Sequence, residues 1–75
     1  MVDVLDIMKS WKDDTGAICA KLALQVSTRD DLPSIGDTVG GMKVQAGSFA
    51  QIIQAATVVT LDDDTTAGTW YPEQS

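Results

Sequence analysis

Hydrophobic positions change rhythm along this chain, and each rhythm predicts a different element. Val4, Leu5, Met8 and Trp11 recur at helical spacing, with Asp3, Asp6, Lys9 and Lys12 between them. That spacing predicts a short amphipathic helix. Asp3 would be its N-cap, and the lysines lie near its end, where they suit the helix dipole. Asp13, Asp14, Thr15 and Gly16 then stop it. A helix this short is marginal alone in water, so it must pack on something. Trp11 falls in its apolar stripe and is expected in the core.

The next stretch carries two rhythms at once. Ile18, Leu22 and Val26 would line one helical face, yet Ile18, Ala20, Leu22, Leu24, Val26 and Thr28 also follow a period of two. A strand over Leu22 to Thr28 is favoured, while the alanines of the first half pull toward helix. From Arg29 to Gly41 the pattern is that of a loop. Pro33 disfavours a helical Leu32, and Leu32, Ile35 and Val39 are expected to tuck back onto the core.

From Met42 to Ile53 strict alternation returns and predicts a strand. The segment Gln54–Thr57 can turn the chain, Val58 to Asp62 forms a second strand, and Thr69 to Tyr71 forms a third that Pro72 ends. Around Phe49 to Ile53, and again at Val58, Val59 and Leu61, both faces are apolar. A sheet with one solvated face alternates more cleanly. Two covers are therefore expected: the N-terminal helix on one side, and a second layer or a neighbouring subunit on the other. Left open, such strands invite aggregation. The predicted fold is α+β, one domain over residues 1–75. A helix and turn occupy residues 1–16, a strand and loop 17–41, and a β-meander 42–75, on a small and mainly antiparallel sheet.

Charge sharpens this picture. The run from Val44 to Leu61 contains no charged residue, in a 75-residue chain with net charge −6. Gln45, Ser48, Gln51, Gln54 and Thr57 are spread through the run, which argues against a membrane span. The first residues alternate charge with apolar side chains and lack the form of a signal peptide, so no targeting segment is expected. Ten of the 11 acids are Asp, clustered at 13–14, 30–31 and 62–64. Asp bonds to nearby backbone amides, so these clusters mark turns and caps.

Little chemistry is available to such a chain. Cys19 is the single cysteine and there is no histidine, so an intrachain disulfide is impossible and the thiol lacks an activating base. Asp62, Asp64, Thr66 and Glu73 match calcium-loop spacing. However, Ala67 stands where that loop needs glycine, and Pro72 precedes the last ligand. No metal, cofactor or catalytic residue is expected. Five scattered cations against 11 acids disfavour direct nucleic-acid binding. A small core with no disulfide or metal is marginal, which leaves association as the remaining source of stability.

Three motifs carry a resemblance. Asp31-Leu32-Pro33, the Gly47, Ser48 and Ala50 of a Gly-Ser-x-Ala strand, and Gly68 with Trp70-Tyr71 resemble a pattern in small structural proteins of tailed bacteriophages and prophages. Those proteins include head-fibre, head-decoration and tail-associated components. The similarity covers the C-terminal two-thirds. The turn from Asp62 to Thr69 is longer than the tight Asp-Gly turn of the pattern. The resemblance implies a non-enzymatic virion component, in the virion or the host cytoplasm, that binds itself or a capsid or tail subunit. The alternative is a phage-encoded acidic inhibitor that mimics nucleic acid against a host protein. Phe49, Ile53, Val59, Trp70 and Tyr71 are the expected partner-binding residues. Trp70 and Tyr71 are strand neighbours and point to opposite faces, so one is expected inside.

Overall fold

The computed structural model describes residues 2–73, and their regular structure is nearly all strand. The elements are β1 (Val2–Lys12), β2 (Ile18–Val26), a 3-10 turn (Arg29–Asp31), β3 (Thr38–Val39), β4 (Met42–Val44), β5 (Phe49–Ile52), β6 (Thr57–Asp62) and β7 (Thr69–Tyr71). All seven strands belong to one sheet, in the order β3-β4-β2-β5-β6-β7, with β1 paired to β2.

β2 organises the rest. Along one edge it pairs antiparallel with β1, from Val2 opposite Val26 to Lys12 opposite Ile18. β4 and β5 both pair with it in parallel, β4 at Cys19 and Ala20 and β5 from Ala23 to Val26. β5, β6 and β7 then form an antiparallel meander. The charge-poor stretch is therefore β-structure, with the turn at residues 53–56.

The α+β expectation is corrected here. The predicted N-terminal helix is an 11-residue strand, and among the described residues the 3-10 turn is the only helical element. The physical reason lies in the pairing of β1. The register slips by one residue between Val4 and Asp6, and again between Ile7 and Lys9, leaving Leu5 and Met8 as single-residue bulges. The residues that share the core-facing side of β2 are consequently Val2, Val4, Ile7, Ser10 and Lys12. The helical spacing of Val4, Leu5, Met8 and Trp11 therefore runs through both bulged residues and marks no single face of the strand. The sheet is also mixed, because the non-local segment after residue 41 joins β2 in parallel.

A second irregularity splits the strand expected from Met42 to Ile53. Between the pairs Ala20–Val44 and Ala23–Phe49, β2 advances three residues and its neighbour five. The extra chain bends out at Gln45–Ser48. Gly47 takes φ +94°, a left-handed conformation that glycine adopts without a Cβ penalty. Ser48 mends the ladder. Its hydroxyl accepts from the Leu22 amide at 3.0 Å and donates to the Gln45 carbonyl at 2.7 Å. It is fully buried, so both bonds are made out of water.

The core lies on one face of this sheet: Ala20, Leu22, Leu24 and Val26 of β2, Val44, Ala50, Ile52, Val59, Leu61 and Trp70. Leu32, Ile35 and Val39 of the long loop pack against it, as their sequence predicts. Pro33 donates nothing but accepts. Its carbonyl takes the Trp70 indole N–H at 2.7 Å, which satisfies the polar atom of a buried ring. The Ile35 amide donates to the Ala67 carbonyl at 2.8 Å, so the loop is tied to the β6–β7 connection. Gly68 sits at that seam with φ +83°. A Cβ there would lie 2.7 Å from Leu61 Cδ1, so the close approach itself excludes a side chain.

Candidate functional site

A β-sheet has exposed edges, and natural proteins keep them short, charged or covered. Two of the outer strands here obey that rule, β3 with two residues and β7 with three. β1 departs from it in length and cover: it is 11 residues long and among the described residues pairs only with β2, although Asp3, Asp6, Lys9, Lys12 and two bulges lie along it.

Its side chains are open as well. Val4, Leu5, Ile7, Met8 and Trp11 are all exposed, from 36% for Val4 to 54% for Leu5. Ile18, opposite Lys12 at the start of β2, extends this apolar surface at 42% exposure. Trp11 is therefore at the surface rather than in the core. It faces the side away from the core, where the Lys9 ammonium lies 5.8 Å from its ring centroid.

The charges of β1 lack ion-pair partners within the described chain. On the face away from the core, Asp6 stands opposite Ala23, and Lys9 stands opposite Lys21. Like charges directly opposite in a ladder are unfavourable. Asp6 does accept a hydrogen bond from the Ile7 amide at 2.8 Å.

The hairpin tip that joins β1 to β2 is held by Asp13. Its carboxylate accepts from the Thr15 hydroxyl at 2.6 Å and from the Thr15 and Ala17 amides at 2.9 and 3.0 Å. Lys43 Nζ lies 3.7 Å from its other oxygen. The Thr15 hydroxyl bond first, then the amides and Lys43, hold this carboxyl at about 2, against an ordinary 3.8. The Cys19 thiol is buried and its sulfur lies 3.7 Å from the same carboxylate.

The sequence-predicted partner residues separate into two groups. Val59 and Trp70 are in the core. Phe49, Ile53 and Tyr71 are exposed. Phe49 and Tyr71 flank Thr60 in one cross-strand row, whereas Ile53 belongs to the turn docked on the end of β2 by its amide bond to the Val26 carbonyl at 2.9 Å. The Tyr71 hydroxyl donates to the Asp64 carboxylate. That bond raises the tyrosine pKa and lowers that of the aspartate. Sequence reasoning missed β1 as an exposed edge. The shared side of Asp6 and Lys9 emerges only from the bulges, which register against β2 and leave no signal in the sequence.

Other sites offer less. Among the described residues, no group of three or more His, Cys, Asp or Glu side chains is placed to hold a metal ion. Asp37 accepts from the Ser34 amide at 2.9 Å and Asp62 from the Asp63 amide at 2.8 Å, so these acids fold their own turns. A depression of about 540 Å³ opens to solvent beside Lys21, Gly47, Asp62, Asp63 and Tyr71. Among the described residues no helix is long and apolar enough to cross a membrane. Comparison with known proteins finds no matching family model, curated protein or solved structure.

Proposed function

We propose that this chain is a non-enzymatic assembly component that works by binding protein through β1, either a second copy of itself or a capsid or tail subunit. One observation carries the reading: a long strand is bonded on a single edge and holds five large apolar side chains in solvent. Such a strand is a template for another chain, with main-chain bonds giving affinity and side chains giving selectivity. The outward row of Phe49 and Tyr71 adds a smaller contact surface on the same sheet. The assembly proposed is a virion or prophage particle, in the virion or the host cytoplasm. The resemblance of the Asp31-Leu32-Pro33, Gly47-Ser48 and Trp70-Tyr71 motifs to tailed-phage structural proteins supports that class.

The test is reconstitution with the products of the flanking genes. The chain should co-elute with a capsid or tail protein in size-exclusion chromatography. Leu5→Lys with Met8→Lys should abolish the complex while shifting the thermal midpoint by no more than a few degrees. Flanking genes that encode no virion protein, together with competition against DNA for a host enzyme, would replace this reading with nucleic-acid mimicry.

A further inference from the structure

The charges and bulges of β1 define who its partner is. Each residue of β1 can be placed by the β2 residue it faces: Val2 at 26, Asp3 at 25, Val4 at 24, Asp6 at 23, Ile7 at 22, Lys9 at 21, Ser10 at 20, Trp11 at 19 and Lys12 at 18. Ile7 is the midpoint of this frame. Asp6 and Lys9 are the positions immediately on either side of it, and both face away from the core.

We propose that β1 pairs antiparallel with β1 of a second copy of this chain, Ile7 opposite Ile7. The proposal rests on the reading of β1 as a protein-binding edge. In that register the two strands overlap over their whole length, and Asp6 of each copy stands opposite Lys9 of the other. Lys9, which faces Lys21 within its own chain, gains a carboxylate neighbour. Leu5 and Met8, the bulged residues of one copy, each meet an unbulged step of the other.

Competing registers are disfavoured by the same charges. Side chains of paired strands must share a face, so the frame can shift only by an even number of positions. A shift of two in one direction sets Asp3 opposite Lys9 at two places but puts Asp6 opposite Asp6 between them, so it is less favourable than the register centred on Ile7. The same shift in the other direction puts Lys9 opposite Lys9. The two-fold arrangement centred on Ile7 avoids both, and it closes the exposed edges of two molecules in one isologous contact. The result is a single sheet continuous through both copies.

The decisive experiment uses two charge-reversed chains. By sedimentation equilibrium over a concentration series, the wild type should have twice the chain mass. Asp6→Lys makes both positions positive, and Lys9→Glu makes both negative. Each alone should weaken self-association at least tenfold, and an equimolar mixture should recover a 1:1 dimer. Circular dichroism of each chain checks that it folds. As a second readout, Ile7→Cys in a Cys19→Ala background should form an interchain disulfide under mild oxidation. A wild type that is monomeric at all concentrations overturns the proposal, as does a dimer indifferent to both reversals. A monomer that still joins a capsid or tail protein through β1 overturns only the self-pairing and leaves the proposed function standing.

Discussion

β1 and β2 are neighbours, paired along nearly their full length and both more than half apolar, yet they end in opposite environments. β2 is buried through most of its length, with Ala20, Leu22 and Leu24 fully out of solvent. β1 is exposed at ten of its 11 residues. What separates them is the number of sides covered. β2 has β1 on one edge, β4 and β5 on the other, and the core against its even-numbered face. β1 has a neighbour on one edge only. Hydrogen-bonded pairing thus fixes the backbone of β1 without removing its side chains from water. Burial, which supplies most of the favourable free energy of folding, is conferred by packing layers rather than by ladders.

The largest expected contrast tests that statement directly. Leu24→Ala should cost about 2–5 kcal/mol, enough to abolish cooperative urea unfolding in a domain this small. Leu5→Ala should change stability by no more than about 0.5 kcal/mol. Comparable losses at the two positions would mean that β1 is covered in the free chain, and the comparison would fail.

Next in size is the mended ladder beside β2. Ser48→Ala removes the acceptor of the Leu22 amide and the donor to the Gln45 carbonyl. The Gln45 carbonyl keeps the Ser48 amide at 3.2 Å, so the Leu22 amide is the group left buried and unpaired, which should cost about 1–3 kcal/mol by chemical denaturation. An unchanged midpoint would show that the bulge at Gln45–Ser48 closes without its hydroxyl.

The smallest effect concerns the tip that joins the two strands. Asp13 has a carboxyl held at about 2 in the folded chain, below its ordinary 3.8. A depressed carboxylate pKa stabilises the fold above the unfolded value, and that contribution disappears as pH falls through the folded one. The thermal midpoint of the wild type should therefore exceed that of Asp13→Ala near neutral pH. The gap should narrow from about pH 4 down to about pH 2. A gap that is constant across this range would assign the role of Asp13 to shape rather than charge.

Local chemistry made much of the C-terminal half legible. Pro33 and the glycines mark the loop, apolar runs bounded by turn residues mark β5 and β6, and adjacency on a strand sends Trp70 and Tyr71 to opposite faces, of which Trp70 takes the inner one. Val59 was harder to place. It lies within an apolar run, so its assignment to the buried face comes from its pairing with Ala50. For β1 the local signal pointed the wrong way, because the helical spacing of Val4, Leu5, Met8 and Trp11 runs through the two bulged residues, Leu5 and Met8, which belong to no regular strand alternation.

By itself the sequence determined the chain reversals near residues 13–16, 54–57 and 62–69, which loop residues return to the core, and the two hairpins of the C-terminal meander, though not the break at Gln45–Ser48. Those features depend on neighbours a few residues apart. Tertiary structure alone decided that the N-terminal segment is a strand, that β4 and β5 join β2 in parallel, and which edge is left open. Strand pairing is chosen by contacts between distant parts of the chain, and a bulge is registered only against the partner it slips past. No periodicity within a single segment contains either kind of information.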